Sequence, residues 1–445
     1  MKLFGTDGIR GKFGVFPLDE STIRKLGAAL SEIYSKDIKK FFIAHDGRLS
    51  HKIICEELLK GILSSHDFEI IFLGLHPTPS IPYILSEQTE KDSMGIQITA
   101  SHNPYSDNGL KIFNSDGYKI SFIDENKITQ ILESINDVNK KIDYSIFENE
   151  SYTNDYTNYL SLFSKKYLDD SKKMHVAIDC ANGALSDVIK SIRLPKNISL
   201  TVFSDKPNGK NINNNCGAVY PEYLSKVITQ KNRNLCSSDH EWIDFGMTFD
   251  GDGDRAILIS ETGRIIDGDE ILFILCSSGI KKTLVGTLMT NFGIRASLEK
   301  IGHTFIETDV GDKYVLEAIL NNNAFMGSES SGHVIHTDAC KIPTGDAMIT
   351  LIKMIYILQS NEASVNEIYP KSLKIPSKLI NIKTTNSKKF IENNHSKFKK
   401  VEELLSENGR ILVRESGTQP MVRILIEHKL PDILKNAEKI VKSIL

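Results

Sequence analysis

Met94-Gly95-Ile96-Gln97-Ile98 runs directly into Thr99-Ala100-Ser101-His102-Asn103-Pro104. The first five residues read as the end of a buried strand, and Asn103-Pro104 is turn chemistry, so the stretch sets a hydroxyl at the edge of a sheet. In α/β proteins that edge is where ligands bind. Ser101 is therefore a candidate nucleophile, expected to project into solvent. Taken alone, the same six residues also suit a serine that merely caps a turn.

Strand and helix alternate on both sides of this stretch, which predicts an α/β architecture. Before it, the pattern predicts helices over 22–34 and 51–64 and strands over 41–44 and 70–73. After it, Asp107-Asn108-Gly109-Leu110-Lys111-Ile112-Phe113 reads as a turn into a short strand, and 121–154 as a polar helical stretch. A second unit opens at Met174-His175-Val176-Ala177-Ile178-Asp179, with Gly183 at the strand-to-helix turn, and a third at Phe245-Gly246-Met247-Thr248-Phe249. Further strands are expected over 283–288 and 304–307, with helices over 294–300 and 346–359 and another opened by Gly311-Asp312-Lys313. Residues 360–376 read as a linker to a last segment with strands over 379–383, 411–413 and 422–426 and a helix from Leu434.

The 445 residues exceed one hydrophobic core and suggest three or four domains. A net charge of −3 with no dense basic stripe argues against nucleic acid as a partner. No apolar run of membrane-spanning length and no signal-peptide pattern occurs, so no membrane partner and a cytoplasmic location are expected. The six cysteines, Cys55, Cys180, Cys216, Cys236, Cys276 and Cys340, form no Cys-x-x-Cys pair, which disfavours a zinc site or a disulfide framework and suggests buried thiols.

Asp250-Gly251-Asp252-Gly253-Asp254-Arg255 carries carboxylates at every second position, and its glycines let the backbone curl around a cation. Three such anions repel unless a metal compensates them, and carboxylate oxygen favours Mg²⁺, Ca²⁺ or Mn²⁺. Asp250, Asp252, Asp254 and Glu261 also match four positions of an EF-hand, but Arg255 stands where that loop needs glycine and 256–259 reads as a strand. Gly327-Ser328-Glu329-Ser330-Ser331-Gly332-His333 sets an acid, hydroxyls and an imidazole on one loop, suited to a polyol such as a sugar; His333 alone would suit a structural role. Arg414-Glu415-Ser416-Gly417-Thr418-Gln419-Pro420-Met421-Val422-Arg423 suits a phosphate clamp, or a charged hairpin. Phe4-Gly5-Thr6-Asp7-Gly8-Ile9-Arg10-Gly11 reads as an anion-approaching loop, Lys111 as a group to neutralise a phosphate or move a proton, or as a solvent-facing strand lysine, and 208–217 as a polar loop, either disordered or ordered near a ligand.

These stretches together, FGTDGIRG, TASHNPYSDNGLKIF, NGKNINNNCG, DGDGDR, SESSGH and RESGTQPMVR, stand in the order and at the intervals of one family. Over its whole length the chain resembles the α-D-phosphohexomutase superfamily, and within it most closely the bacterial phosphoglucosamine mutases. The resemblance implies three similar α/β domains, 1–153, 154–249 and 250–365, plus a smaller C-terminal α+β domain, 366–445, around a central cleft. It implies a phosphoserine at Ser101 and one Mg²⁺ held by that phosphate with Asp250, Asp252 and Asp254. Arg10, Lys111 and His333 would serve proton transfer and charge neutralisation. Arg255, Glu329 and Ser331 would contact the sugar phosphate, and Arg414, Ser416, Gly417, Thr418 and Arg423 would hold its non-reacting phosphate. The expected reaction exchanges glucosamine 6-phosphate and glucosamine 1-phosphate through a 1,6-bisphosphate, with hexose 1,6-bisphosphate as activator, in a monomer or homodimer. Competing readings are a phosphomannomutase or phosphoglucomutase of the same superfamily, a non-catalytic sugar-phosphate binder, and a metal-dependent phosphatase. Gln419, Glu415, Ser328 and Ala347 depart from the pattern, and Glu415 adds negative charge beside the clamp.

Overall fold

The computed structural model describes residues 3–5, 7–136, 138, 154–277, 280–370, 373–415 and 421–444. The first sheet contains β1 (Ile9–Lys12), β2 (Lys40–His45), β3 (Glu69–Leu75), β4 (Ser93–Ile98) and β5 (Asp107–Phe113), in the order β1-β5-β4-β2-β3. All six residues of β4 are buried, as a central strand covered on both faces requires. The helix Glu20–Tyr34 starts at Asp19, whose carboxylate accepts from Thr22 N–H at 3.0 Å. Its buried Ile23, Leu26 and Leu30 recur at helical spacing. Together with the apolar face of His51–Ile62 it covers one side of this sheet.

The second sheet is built from β6 (Met174–Asp179), β7 (Ile198–Phe203), β8 (Phe245–Phe249), β9 (Ala256–Ser260) and β10 (Ile265–Ile266), and the third from β11 (Thr283–Thr287), β12 (Thr304–Thr308), β13 (Met326–Ser328), β14 (Val334–His336) and β15 (Thr344–Gly345). One topology recurs three times. A central strand (β2, β6, β11) has a parallel neighbour on each side. One of those neighbours (β4, β8, β13) then turns back into an antiparallel strand (β5, β9, β14). The turns of these three equivalent hairpins carry Ser101, Asp250 to Arg255, and Glu329 to His333 respectively.

The expected division between 249 and 250 falls inside the β8–β9 hairpin, because every residue of β8 is paired with one of β9. The aspartate loop is thus the hairpin turn of the second sheet, which closes only after Ile266. The division between 365 and 366 cuts the short helix Val365–Ile368, and the last sheet opens at Ser377. The described residues of 360–376 are not a free linker, since Val365 and Tyr369 are buried in the core. Of the helical stretch expected over 121–154, a helix is formed over Phe122–Ser134, started by a capping box of Ser121 and Asp124, while 137 and 139–153 lie outside the described residues. The division at 153 lies outside the described residues. Among the cysteines Cys236 is exposed and Cys340 half-buried, contrary to the expectation for those two.

The last sheet, β16 (Ser377–Lys383), β17 (Gly409–Glu415) and β18 (Met421–His428), is antiparallel in the order β16-β18-β17 and has its own core. It is docked through a buried carboxylate. Glu427 accepts from Asn291 Nδ2 at 2.9 Å, Phe292 N–H at 3.2 Å and Arg410 Nε at 2.7 Å. Arg410 in turn donates to Glu307 at 2.9 Å. Removing one partner of a buried pair leaves the other uncompensated, at about 3–5 kcal/mol. Glu427→Ala is accordingly expected to split urea unfolding into two transitions, the last unit melting first.

Candidate active site

The Ser101 hydroxyl does not project into solvent. The residue is fully buried, and its Oγ donates to Asp250 Oδ2 at 2.6 Å. Closure by the neighbouring hairpin accounts for the burial. Ser101 adopts φ 51°, a left-handed conformation uncommon for a residue with a side chain. Its surroundings hold it there: the Ser101 N–H donates to Thr99 Oγ1 at 2.7 Å, and the Ser101 carbonyl accepts from Arg48 Nη2 at 2.7 Å and Asn213 Nδ2 at 2.8 Å. Arg48 is itself fixed by Asp46 at 2.8 Å, and Asp46 also accepts from Thr99 Oγ1 at 2.6 Å. The 208–217 loop is therefore ordered, with Asn213 holding the serine turn.

Asp250, Asp252 and Asp254 are all buried, with carboxylate oxygens within 4.8 Å of one another. Gly183 owes its place to this loop: a Cβ there would lie 2.2 Å from the carbonyl oxygen of Gly251. Lys111, expected to neutralise a phosphate or face solvent, is buried and donates to Asp252 Oδ2 at 2.8 Å and Asp254 Oδ2 at 2.6 Å. Thr78 Oγ1 donates to Asp252 at 2.5 Å. Of the other oxygens, Asp252 Oδ1 is buried without a donor, and Asp254 Oδ1 is buried with only the longer approaches of His333 Nδ1 at 3.5 Å and Arg255 Nε at 3.7 Å. Two buried carboxylate oxygens with no close donor, beside a third carboxylate, fit a hard divalent cation.

The electrostatics agree. Burial, then Asp252 and Asp254, push the Asp250 carboxyl well above the ordinary range. Burial also works on Asp254, but Lys111 and His333 outweigh it and hold that carboxyl well below the ordinary range. Burial opposes the Lys111 charge and is outweighed by Asp252, Asp254 and Asp7, so the ammonium is retained. In the metal-free protein folded Asp250 binds its proton more tightly than in the unfolded chain, where a carboxyl titrates near about 3.9. The stability this proton contributes is complete below that value and is lost as pH rises through the raised folded pKa. Urea unfolding in EDTA should therefore show stability falling with pH above about 4, with Mg²⁺ reducing the decline; equal slopes with and without Mg²⁺ would contradict the assignment.

His333 places Nδ1 3.5 Å from Asp254 Oδ1 and Nε2 3.9 Å from Asp312 Oδ2. Burial disfavours the imidazolium, but Asp254 and Asp312 prevail and its pKa is raised. Arg255 lies 3.7 Å from Asp254 and 4.0 Å from Asp250, and its backbone pairs with that of His333. Glu329 is buried and accepts from Gly311 N–H at 2.9 Å, while Ser331 is exposed at the tip of the same turn. Arg10 lies on strand β1 rather than a loop, opposite Gly109 of β5, and pairs with Asp7.

Arg414 and Arg423 face each other across β17 and β18. The Nε atoms of both are buried without acceptors, and burial followed by Arg423 lowers the Arg414 pKa. Like charges directly opposed on a sheet destabilise it unless an anion joins them. Glu415 is exposed on the alternate face of β17, away from this pair. Ser416, Gly417, Thr418 and Gln419 lie outside the described residues. Ser328 is buried on β13, and Ala347 begins the helix Ala347–Asn361, its N–H donating to Gly253 at 3.2 Å.

The sequence reading passed over Asp7, Asp46, Arg48, Thr78, Lys119, Asn213 and Asp312. His45-Asp46-Gly47-Arg48, a charged pair beside glycine at the end of a strand, was a usable signal for two of them. His102 was also left without a role: its Nδ1 lies 3.3 Å from Ser101 Oγ. Burial, with Arg255 and Arg10, pushes its pKa down to about 4.

No helix among the described residues is long and apolar enough to cross a membrane. The family models for phosphoglucomutase/phosphomannomutase match as alpha/beta/alpha domain I over residues 1–139, alpha/beta/alpha domain III over 267–374 and the C-terminal domain over 379–441. The phosphoglucosamine mutase of Pediococcus pentosaceus is 34% identical, with 96% of this chain and 94% of that protein covered. That of Bacillus subtilis is 34% identical, covering 97% and 95%. Among solved structures, a phosphoglucomutase/phosphomannomutase family protein from Burkholderia thailandensis has a TM-score of 0.75 at 20% identity, covering 99% of this chain and 96% of that one. N-acetylphosphoglucosamine mutase of Aspergillus fumigatus, in complex with GlcNAc-6P and magnesium, has a TM-score of 0.62 at 16% identity, covering 100% and 95%. The two structural likenesses concern the fold; the near-full-length bacterial relatives decide the family, and the chain belongs to the phosphoglucosamine mutases of the α-D-phosphohexomutase superfamily.

Proposed function

We propose that this protein interconverts D-glucosamine 6-phosphate and α-D-glucosamine 1-phosphate, with Ser101 carrying the phosphoryl group. The observation behind this reading is the convergence of three equivalent hairpin turns, which brings a nucleophile, a carboxylate triad and a sugar-reading loop into one site. Asp250, Asp252 and Asp254, with a phosphate oxygen on Ser101, would hold one Mg²⁺, which supplies charge neutralisation for phosphoryl transfer.

In the first half-reaction the P–O bond to Ser101 Oγ breaks and a P–O bond to the free hydroxyl of the sugar phosphate forms. The hydroxyl proton is lost to a base and the serine oxygen regains one, giving a 1,6-bisphosphate. Lys111, held as an ammonium, neutralises charge rather than taking the proton, and Arg10 adds to that positive field. His102, held neutral 3.3 Å from Ser101 Oγ, offers a nitrogen within reach of that oxygen. His333 serves proton transfer on the opposite flank of the triad. Because the transition state of phosphoryl transfer is loose, positioning and charge neutralisation carry most of the catalysis. Arg414 and Arg423, with Ser416, Gly417 and Thr418, clamp the non-reacting phosphate; Glu329, Ser331 and Arg255 orient the sugar. The bisphosphate then turns around within the cleft, helped by movement of the last unit, and returns its other phosphate to Ser101. A trace of hexose 1,6-bisphosphate primes the serine, and the setting is the cytoplasm, where the product supplies amino-sugar precursors.

The test is a coupled assay with Mg²⁺, glucosamine 6-phosphate and a trace of glucose 1,6-bisphosphate. Glucosamine 1-phosphate should form at a kcat/KM at least tenfold above those for glucose and mannose phosphates. A preference for either hexose would replace the substrate, and release of inorganic phosphate alone would replace the reaction.

A further inference from the structure

Six charged groups close a ring behind the site. Lys111 Nζ is 2.6 Å from Asp254 Oδ2, and Asp254 Oδ1 is 3.5 Å from His333 Nδ1. His333 Nε2 is 3.9 Å from Asp312 Oδ2. Asp312 pairs with Lys119, Lys119 pairs with Asp7, and Asp7 Oδ2 returns to Lys111 at 3.5 Å. One half, Lys111, Asp254 and His333, belongs to the cluster described above. The other half, Asp7, Lys119 and Asp312, lies outside the set of groups assigned to the reacting phosphate and the sugar.

Lys119 belongs to the serine-bearing unit, following β5 across a tight turn and bridging back to Phe113. Asp312 belongs to the third unit, as the first residue of the helix Asp312–Asn322. The residue before it, Gly311, donates its N–H to Glu329, on the turn that also bears His333. The Lys119 ammonium thus joins two hairpin units of the repeat, one holding the nucleophile and the other the sugar-reading turn, beside a second link in which Lys313 pairs with Glu125 at 2.9 Å. Lys119 is four-fifths buried, with carboxylates from both units on it. The second carboxylate, Asp7, also holds Arg10 and approaches Lys111.

We propose that Lys119 is a positioning residue, which through Asp312 sets the Glu329–His333 turn against the phosphoserine turn and through Asp7 sets Arg10 and Lys111. The role rests on the mutase reading, because the geometry it maintains is that of phosphoryl transfer between serine and sugar. Lys119 acts through its neighbours, so its loss should lower the rate of the chemical step more than substrate affinity. Misplacement of reacting groups by about 1 Å costs on the order of 10²-fold.

The test uses the full-length, Mg²⁺-loaded enzyme. Lys119→Met should lower kcat about 10- to 100-fold with KM changed less than about threefold. Lys119→Arg, which keeps the charge, should recover most of the rate. Asp312→Asn should reproduce the loss, and the double variant should be no slower than the slower single one, because both remove the same link. Hydrogen exchange without substrate is the companion measurement. In Lys119→Met, amides of residues 311–314 and 329–333 should exchange at least about tenfold faster, while the β2 amides are unchanged. Unchanged exchange at those residues, multiplying losses in the double variant, or a loss confined to KM would each overturn the positioning role. A wild-type enzyme inert towards glucosamine 6-phosphate, with the exchange change still present, would overturn the mutase reading and leave the link between the units standing.

Discussion

Ser101→Ala should reduce isomerisation by at least about 10⁴-fold, the scale on which enzymes lose rate when their nucleophile is removed. Its partners are already arranged without it: Thr99, Arg48 and Asn213 hold the turn through backbone atoms, which alanine retains. The left-handed φ of 51° is no easier for alanine than for serine, so the fold should persist. Asp250 loses one donor at 2.6 Å, and in metal-free protein its proton compensates. The measurement is turnover with Mg²⁺ and activating bisphosphate, beside mass spectrometry of the peptide containing residue 101. A variant that retained more than about one per cent of wild-type rate would show that the phosphoryl carrier is another residue.

Lys111→Met is expected to have the largest effect on stability. Its ammonium lies 2.8 Å from Asp252, 2.6 Å from Asp254 and 3.5 Å from Asp7, and all of these groups are largely or wholly removed from water. Without it, three carboxylates lose their shared cation in a medium where water cannot replace it. Breaking such a pair costs about 3–5 kcal/mol, against a total stability of only about 5–15 kcal/mol for a typical domain. Urea unfolding in EDTA should show that loss, and Mg²⁺ should recover part of it by compensating Asp252 and Asp254. Turnover should fall by at least about 10²-fold even when Mg²⁺ has restored the fold, since the field that neutralises the transferring phosphoryl group is weakened. A variant as stable as wild type in EDTA would mean that the aspartates are protonated or solvated there.

The residues that the structure gathers at the candidate site were legible because each stands in a local pattern. Ser101 follows an apolar strand, the aspartates alternate with glycine, and Glu329 to His333 form a glycine-bracketed turn. Lys111 was ambiguous: a lysine in a strand is ordinarily solvated, and only the facing β8–β9 turn makes its burial favourable. The pairing of Asp7, Lys119 and Asp312 could not be read at all. Lys119 and Asp312 are 193 positions apart, and nothing in either neighbourhood signals the other.

The division at 249/250 failed for a related reason. It falls inside a hairpin, and the pairing of β8 with β9 depends on hydrogen bonds that local composition does not encode. What the sequence by itself determined is the alternation of strands and helices, the residue types at each turn and the family to which they belong, because these follow from periodicity and short-range backbone preference. Only the tertiary structure decided that the three turns are equivalent hairpins facing one another, that Ser101 is buried against Asp250, and that Lys119 links two units. Those are contacts between groups distant in the chain, stabilised by desolvated charge pairs whose strength depends on the burial that folding creates.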